Sequence, residues 1–248
     1  MTTRQGLLAC LLILLPAIAL IEGCDSADEG HTTQPDTPID VGGVAAKGAI
    51  SGAEVNLHEL TTDAQLGELL AGPFTTDAAG AWSGEVPGGT QANLLAVLQN
   101  GSYTDEATGQ VVTVSQPLWG LWRPSTAVGN VSPLTHALVV NVRKRVAEGA
   151  SLAAAVTDAN EALATAFGFD PTSTEPAVTG GKTTLQTGEE IYVALLAGIS
   201  TLLDDNPDLA VVADADPFDL VVALARDLSD GALQGLDAFG DPIMVDPD

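Results

Sequence analysis

Both cysteines of this 248-residue chain lie within its first 24 residues, and that placement limits how the rest can be held together. Leu7 to Leu15 is unbroken apolar sequence, preceded by Arg4 and followed by Pro16. A cationic start, a short apolar run and a small-residue processing site make a secretory signal. A membrane-spanning helix needs about 20 apolar residues, and Pro16 and Glu22 shorten this run. The leader is expected to cover residues 1–23, so Cys10 leaves with it. The exported body then has no disulfide, and its fold rests on packing alone.

Ile21-Glu22-Gly23-Cys24 resembles the lipobox of bacterial lipoproteins. Gly23 and Cys24 fit the motif, while Glu22 departs from the small or apolar residue preferred there. The resemblance implies removal of the leader and a thioether-linked diacylglycerol on Cys24. One acyl chain binds a membrane only marginally, and stable anchoring takes two or more. A lipidated Cys24 therefore holds an exported protein at a bilayer without a buried helix.

The formal charge is -25, from 33 acids against 8 bases. Phosphate binding needs clustered Lys and Arg, which excludes nucleic acid as a partner. The same balance excludes docking on an anionic lipid surface through protein charge. The tether expected at residues 24–40 holds five acids and no Lys or Arg. It cannot bury enough apolar surface to fold, and as a coil it reaches roughly 20 Å.

Residues 41–125 read as strands. Glu54 to His58 alternates polar and apolar residues with a period of two, as in a half-buried strand. Thr76-Asp77-Ala78-Ala79-Gly80 is a turn, and Ala81 to Val86 leaves it with Trp82 and Val86 on one face. Asn93 to Gln99 is a continuous apolar run, expected of a central strand buried on both faces. Gln110 to Val114 and Leu118 to Trp122 are shorter strands. Such spacing suggests a sandwich.

Gly52-Ala53-Glu54-Val55 followed by Thr76-Asp77-Ala78-Ala79-Gly80-Ala81-Trp82 resembles the carboxypeptidase regulatory-like and collagen-adhesin B-type domains. Gly101 to Gly109 and Val131-Ser132-Pro133-Leu134-Thr135 look like segments that follow this module in bacterial surface lipoproteins. The resemblance implies a prealbumin-like (transthyretin-like) β-sandwich and carries no agreed activity.

Residues 130–248 read as helical. Ser132 caps a first helix with Pro133 at its first position, and Leu134, Leu138, Val142 and Val146 form its stripe. Arg143, Lys144 and Arg145 complement the dipole at its end. Ser151 opens a second helix, with a seam of Leu152, Val156, Ala159, Leu163 and Ala166, and Gly168 stops it. Thr187-Gly188-Glu189-Glu190 has the pattern of a capping box ahead of Ile191, Leu195, Ile199 and Leu202. Asp216-Pro217 begins a fourth helix with Phe218, Val221, Ala225 and Leu228 inward. The fold class expected is therefore α+β: an N-terminal antiparallel β-sandwich followed by a bundle of about four helices.

No catalytic constellation emerges. Gly198-Ile199-Ser200-Thr201-Leu202 lacks the closing glycine of a nucleophile elbow and sits mid-helix. The three histidines, His31, His58 and His136, are far apart and make no local zinc pair. Asp105 and Glu106 are the best candidates for a small calcium site, although no calcium-loop motif surrounds them. Tyr103, Trp119 and Trp122 are candidates for stacking on a glycan, against the alternative that the tryptophans plug the joint between strands and helices.

The reading is a non-enzymatic, lipid-anchored protein of the bacterial cell envelope, on the periplasmic or cell-surface side, that binds or scaffolds an envelope protein. The alternative is a carbohydrate-binding lipoprotein using those aromatic residues. No cofactor is expected beyond the lipid on Cys24.

Overall fold

The computed structural model describes residues 37–90, 93–123, 128–177, 187–205, 217–232 and 234–235. Cys24, His31, the leader and most of the tether lie outside the described residues. The order is eight strands followed by four helices, an α+β arrangement in which every pair of strands is antiparallel.

β1 (Ile39–Val44) pairs with β4 (Ala81–Val86). A four-stranded sheet runs in the order β3 (Leu66–Thr75), β2 (Glu54–Leu60), β5 (Leu94–Gln99), β8 (Leu118–Trp122). A small hairpin joins β6 (Ser102–Thr104) to β7 (Val111–Thr113). The expected central strand is β5: Leu94 to Leu98 are buried in succession between β2 and β8. The expected turn before β4 also forms. Asp77 Oδ1 accepts from the amides of Ala79 at 2.8 Å and Ala81 at 2.9 Å, which is how a short Asp side chain closes a turn.

Three differences from the sequence reading have physical causes. β1 begins at Ile39 rather than after residue 40, because Ile39 and Asp40 already pair with Val86 and Glu85. β3 was not expected, since it carries little alternation: Leu66 and Leu69 remain about half exposed on it. It persists through ladder hydrogen bonds to β2 and through Phe74, whose ring stacks on Trp82 at 5.9 Å and 12°. A Cβ on Gly84 would fall 2.0 Å from that ring, so only glycine admits the approach. β6 was likewise not expected; it is three residues long, too short to show a period.

The helices are α1 (Pro133–Ala147), α2 (Leu152–Phe167), α3 (Thr187–Asp205) and α4 (Pro217–Asp227), with a 3-10 turn at Leu228–Asp230. Ser132 and Thr135 form a reciprocal capping box at α1 with Pro133 inside it. Ser151 caps α2, and Gly168 ends it in the left-handed conformation. The seam of α2 closes on Phe167 rather than Ala166, the larger ring taking the buried place. On α3 the buried line is Tyr192, Leu196, Ile199 and Ser200, one residue on from the expected Ile191 and Leu195.

The whole of Pro133 to Val142 is buried, not one stripe of it. α1 packs against β8, α2 and α4, so it has no solvent face over those turns. One contiguous apolar core runs from Val41 through the strands to Leu228. The boundary drawn from sequence near residues 125–130 thus separates strands from helices but not two cores. β1 is also bonded on its second edge. Gly129 N donates to Gly42 O at 2.7 Å, Val131 N to Val44 O at 2.9 Å, and Ala46 N to Val131 O at 2.9 Å.

Candidate functional site

Lys47 is the organising residue. It sits in the tight turn between the bridged residues Ala46 and Ala49, after β1, and is fully buried. The next residue, Gly48, has φ +79°, and a Cβ there would lie 2.8 Å from Thr104 O. Only glycine lets the turn lie this close to the β6–β7 hairpin. The Lys47 ammonium is 5.5 Å from the centre of the Tyr103 ring and 2.9 Å from Glu106 Oε2, with Asp105 Oδ2 at 3.9 Å. It also donates to Ser200 Oγ of α3.

The loop from Asp105 to Gly109 is built to present its two carboxylates. Asp105 Oδ1 accepts from Ala107 N at 3.1 Å, Thr108 N at 3.0 Å and Thr108 Oγ1 at 3.0 Å. Its Oδ2 lies 2.6 Å from Ser200 Oγ, and Glu106 Oε2 lies 2.9 Å from the same hydroxyl. A hydroxyl has one proton to give, and the shorter distance assigns it to Asp105. Burial alone would raise the Asp105 carboxyl. The hydrogen bonds from Ser200 and Thr108, with the Lys47 charge, outweigh it and hold the group below its ordinary pKa.

Asp105 and Glu106 of this cluster line a cleft of about 710 Å³, with Lys47 and Ser200 behind them. Its walls include Tyr103 and Val111 of the hairpin, Ala49 and Ser51 before β2, and Val193 and Leu196 of α3. Volume and a mostly apolar lining with few converging polar groups are what a small-molecule site requires.

The chemistry open to the cluster is restricted. A serine beside a lysine becomes a nucleophile when the amine is free to take its proton. Lys47 instead faces two carboxylates and donates to the serine, so it holds Ser200 as an acceptor. Among the described residues, no group of three or more His, Cys, Asp or Glu side chains is placed to hold a metal. The calcium candidates Asp105 and Glu106 face an ammonium.

Of the residues singled out from sequence, Tyr103, Asp105 and Glu106 come together at this cleft. Trp119 and Trp122 do not join them. Trp122 is buried. Trp119 lies between His136, stacked at 4.7 Å and 9°, and Arg143, whose guanidinium is 3.9 Å from the ring centre. Its carbonyl accepts from Thr135 Oγ1 at 3.1 Å, so it occupies the joint between β8 and α1. Tyr103 is itself buried and packs on Phe218.

His136 is buried, and neither ring nitrogen has a hydrogen-bond partner among the described residues. Burial, then the charges of Arg226 and Arg143, push its pKa down to about 3.

Sequence reasoning missed Lys47 and Ser200. A signal for the first was present: Lys47 is the one base between Arg4 and Arg123, set in the apolar run Val44-Ala45-Ala46-Lys47-Gly48-Ala49-Ile50. A charge so placed must be paired once buried. Ser200 stood out only as the centre of an incomplete nucleophile elbow, which gave no sign of its place beside Lys47. Comparison of the chain with protein families, with curated proteins and with solved structures finds no match.

Proposed function

We propose that this is a lipid-anchored protein of the bacterial cell envelope, held through diacylglycerol on Cys24, whose body is a non-enzymatic binding module. The cleft beside Lys47 is its binding site. The observation that carries the binding reading is the state of Lys47: buried, paired with Glu106 and close to Asp105, it holds the two carboxylates that line the cleft without leaving a free base. Hydrogen-bonded polar groups on the wall of an apolar cleft suit recognition. Anchoring rests on the leader and on Gly23-Cys24. No helix among the described residues is long and apolar enough to cross a membrane.

In the same reading, residues 41–125 fold as a transthyretin-like sandwich. The all-antiparallel pairing and the face-on contact of Phe74 over β4 support that arrangement. The carbohydrate alternative loses its support from Trp122 and Tyr103, both buried, and from Trp119, covered by His136 and Arg143.

The anchor is tested with Cys24→Ala. The variant is expected to leave the membrane fraction, and the native N-terminal peptide is expected to carry acyl mass on Cys24. Membrane retention of the variant together with an unmodified thiol would overturn the reading.

A further inference from the structure

We infer that the cleft takes a small amphiphilic organic cation, with an ammonium-type head held by Glu106 and an aliphatic body lying along Val111, Val193 and Leu196. The inference rests on the binding reading above and names the ligand class for that site.

Charge decides the head group. Lys47 is the one base in the cluster, and it is wholly buried. Against it stand two carboxylates, so the cluster carries a net negative charge in a chain whose formal charge is -25. No Lys or Arg is in the lining of the cleft among the described residues. An anionic ligand would meet repulsion, with no Lys or Arg of the described lining to receive it.

The two carboxylates are not equivalent. Asp105 is occupied at both oxygens, by three loop donors at Oδ1 and by Ser200 at Oδ2. Glu106 receives Lys47 at one oxygen, Oε2, which also lies 2.9 Å from the Ser200 hydroxyl whose proton goes to Asp105, and its side chain remains 29% exposed on the cleft wall. An ionised carboxylate offers about four lone-pair sites, so Glu106 has acceptor capacity where Asp105 has little.

The apolar walls decide the rest of the ligand. Val111 is 72% exposed, the most exposed of the large apolar side chains among the described residues, and Val193 and Leu196 face the same cleft. Covering Val111 and the half-buried Val193 gains apolar burial, with the already buried Leu196 as the floor behind them. A hydrophilic cation without an aliphatic body would leave that gain unused, and a neutral alkane would leave Glu106 unanswered.

The test uses the full chain with methyl-labelled valine and leucine, titrated in NMR with hexylammonium, hexanoate and hexanol. Hexylammonium is expected to shift the methyls of Val111, Val193 and Leu196, with an affinity that falls as salt is raised. Glu106→Gln should lower that affinity about tenfold, the size of a lost charge-assisted hydrogen bond, and leave hexanol unchanged. Val193→Trp should abolish binding of every probe by filling the cleft.

Hexanoate binding as tightly as hexylammonium, or a Glu106→Gln variant with unchanged affinity, would overturn the cation assignment and leave the cleft a binding site. The absence of shifts with all three probes would overturn both the ligand class and the cleft. Neither result touches the anchor, which Cys24→Ala tests by itself.

Discussion

His136 shows how much one side chain can set. It is neutral in the fold, with a pKa of about 3 against an ordinary 6.5. The unfolded chain binds a proton that the folded chain refuses, so the stability it contributes is complete above pH 6.5. That stability drains away as the pH falls from 6.5 toward 3. At pH 5 the loss from this residue is about 2 kcal/mol. Asp105 and Asp170 have lowered folded values, so their contributions are present above the ordinary carboxylate range and vanish only at more acid pH. Urea unfolding between pH 7 and 5 therefore isolates the histidine. His136→Phe keeps a ring against Trp119 and should flatten the dependence over that interval; an unchanged slope would refute the assignment.

Lys47 makes the complementary case. Removing one partner of a buried ion pair leaves the other charge unanswered, at about 3 kcal/mol or more. Lys47→Met should lower stability by that amount, read as a fall in the urea midpoint at unchanged slope.

At the scale of elements, the polar contacts decide which face of a helix turns inward. On α3, apolar residues alone marked Ile191, Leu195, Ile199 and Leu202 as the buried line, and of these Ile199 is buried. Tyr192 lies inward instead because its hydroxyl meets Ser132 Oγ at 2.6 Å, and Ser200 lies inward because it meets Lys47 and Asp105. Neither partner is near in sequence, so hydrophobic periodicity could not see the rotation. On α1, α2 and α4 the start signals and inward residues were legible, since a capping serine, a proline at the first turn and a closing glycine act locally. The same contrast explains the strands. β4, β5 and β8 were legible from turn residues and apolar runs. β3 was not, because it is held by pairing and by one ring over Gly84. Ser132 joins two elements at once, capping α1 and bonding α3. Ser132→Ala should cost about 2 kcal/mol and speed amide exchange in the first turn of α1 and around Tyr192.

For the whole molecule, charge governs behaviour outside the core. With a formal charge of -25, self-repulsion works against the compact state. Salt screens that repulsion, so thermal unfolding should move to higher temperature as sodium chloride is raised. A midpoint that stays level or falls would mean that the buried Lys47 cluster and the Arg123–Asp170 pair, at 3.5 Å, dominate over repulsion. The candidate site was half legible at this scale. Tyr103, Asp105 and Glu106 stood out as a loop, but the cation that organises them comes from a turn far back in the chain.

The strand that leads into the fold is bonded along both edges, to β4 on one and to Gly129–Val131 on the other. The ribosome delivers β1 before β4, and Val131 only after β8 has emerged. β1 must therefore wait, one edge bare, until Val131 is available. Its glycines, Gly42 and Gly43, shorten the sticky apolar stretch it shows in the meantime. Clipping residues 39–44 would accordingly not trim a loose end; it would strip two partners of their ladder and open the sheet from inside.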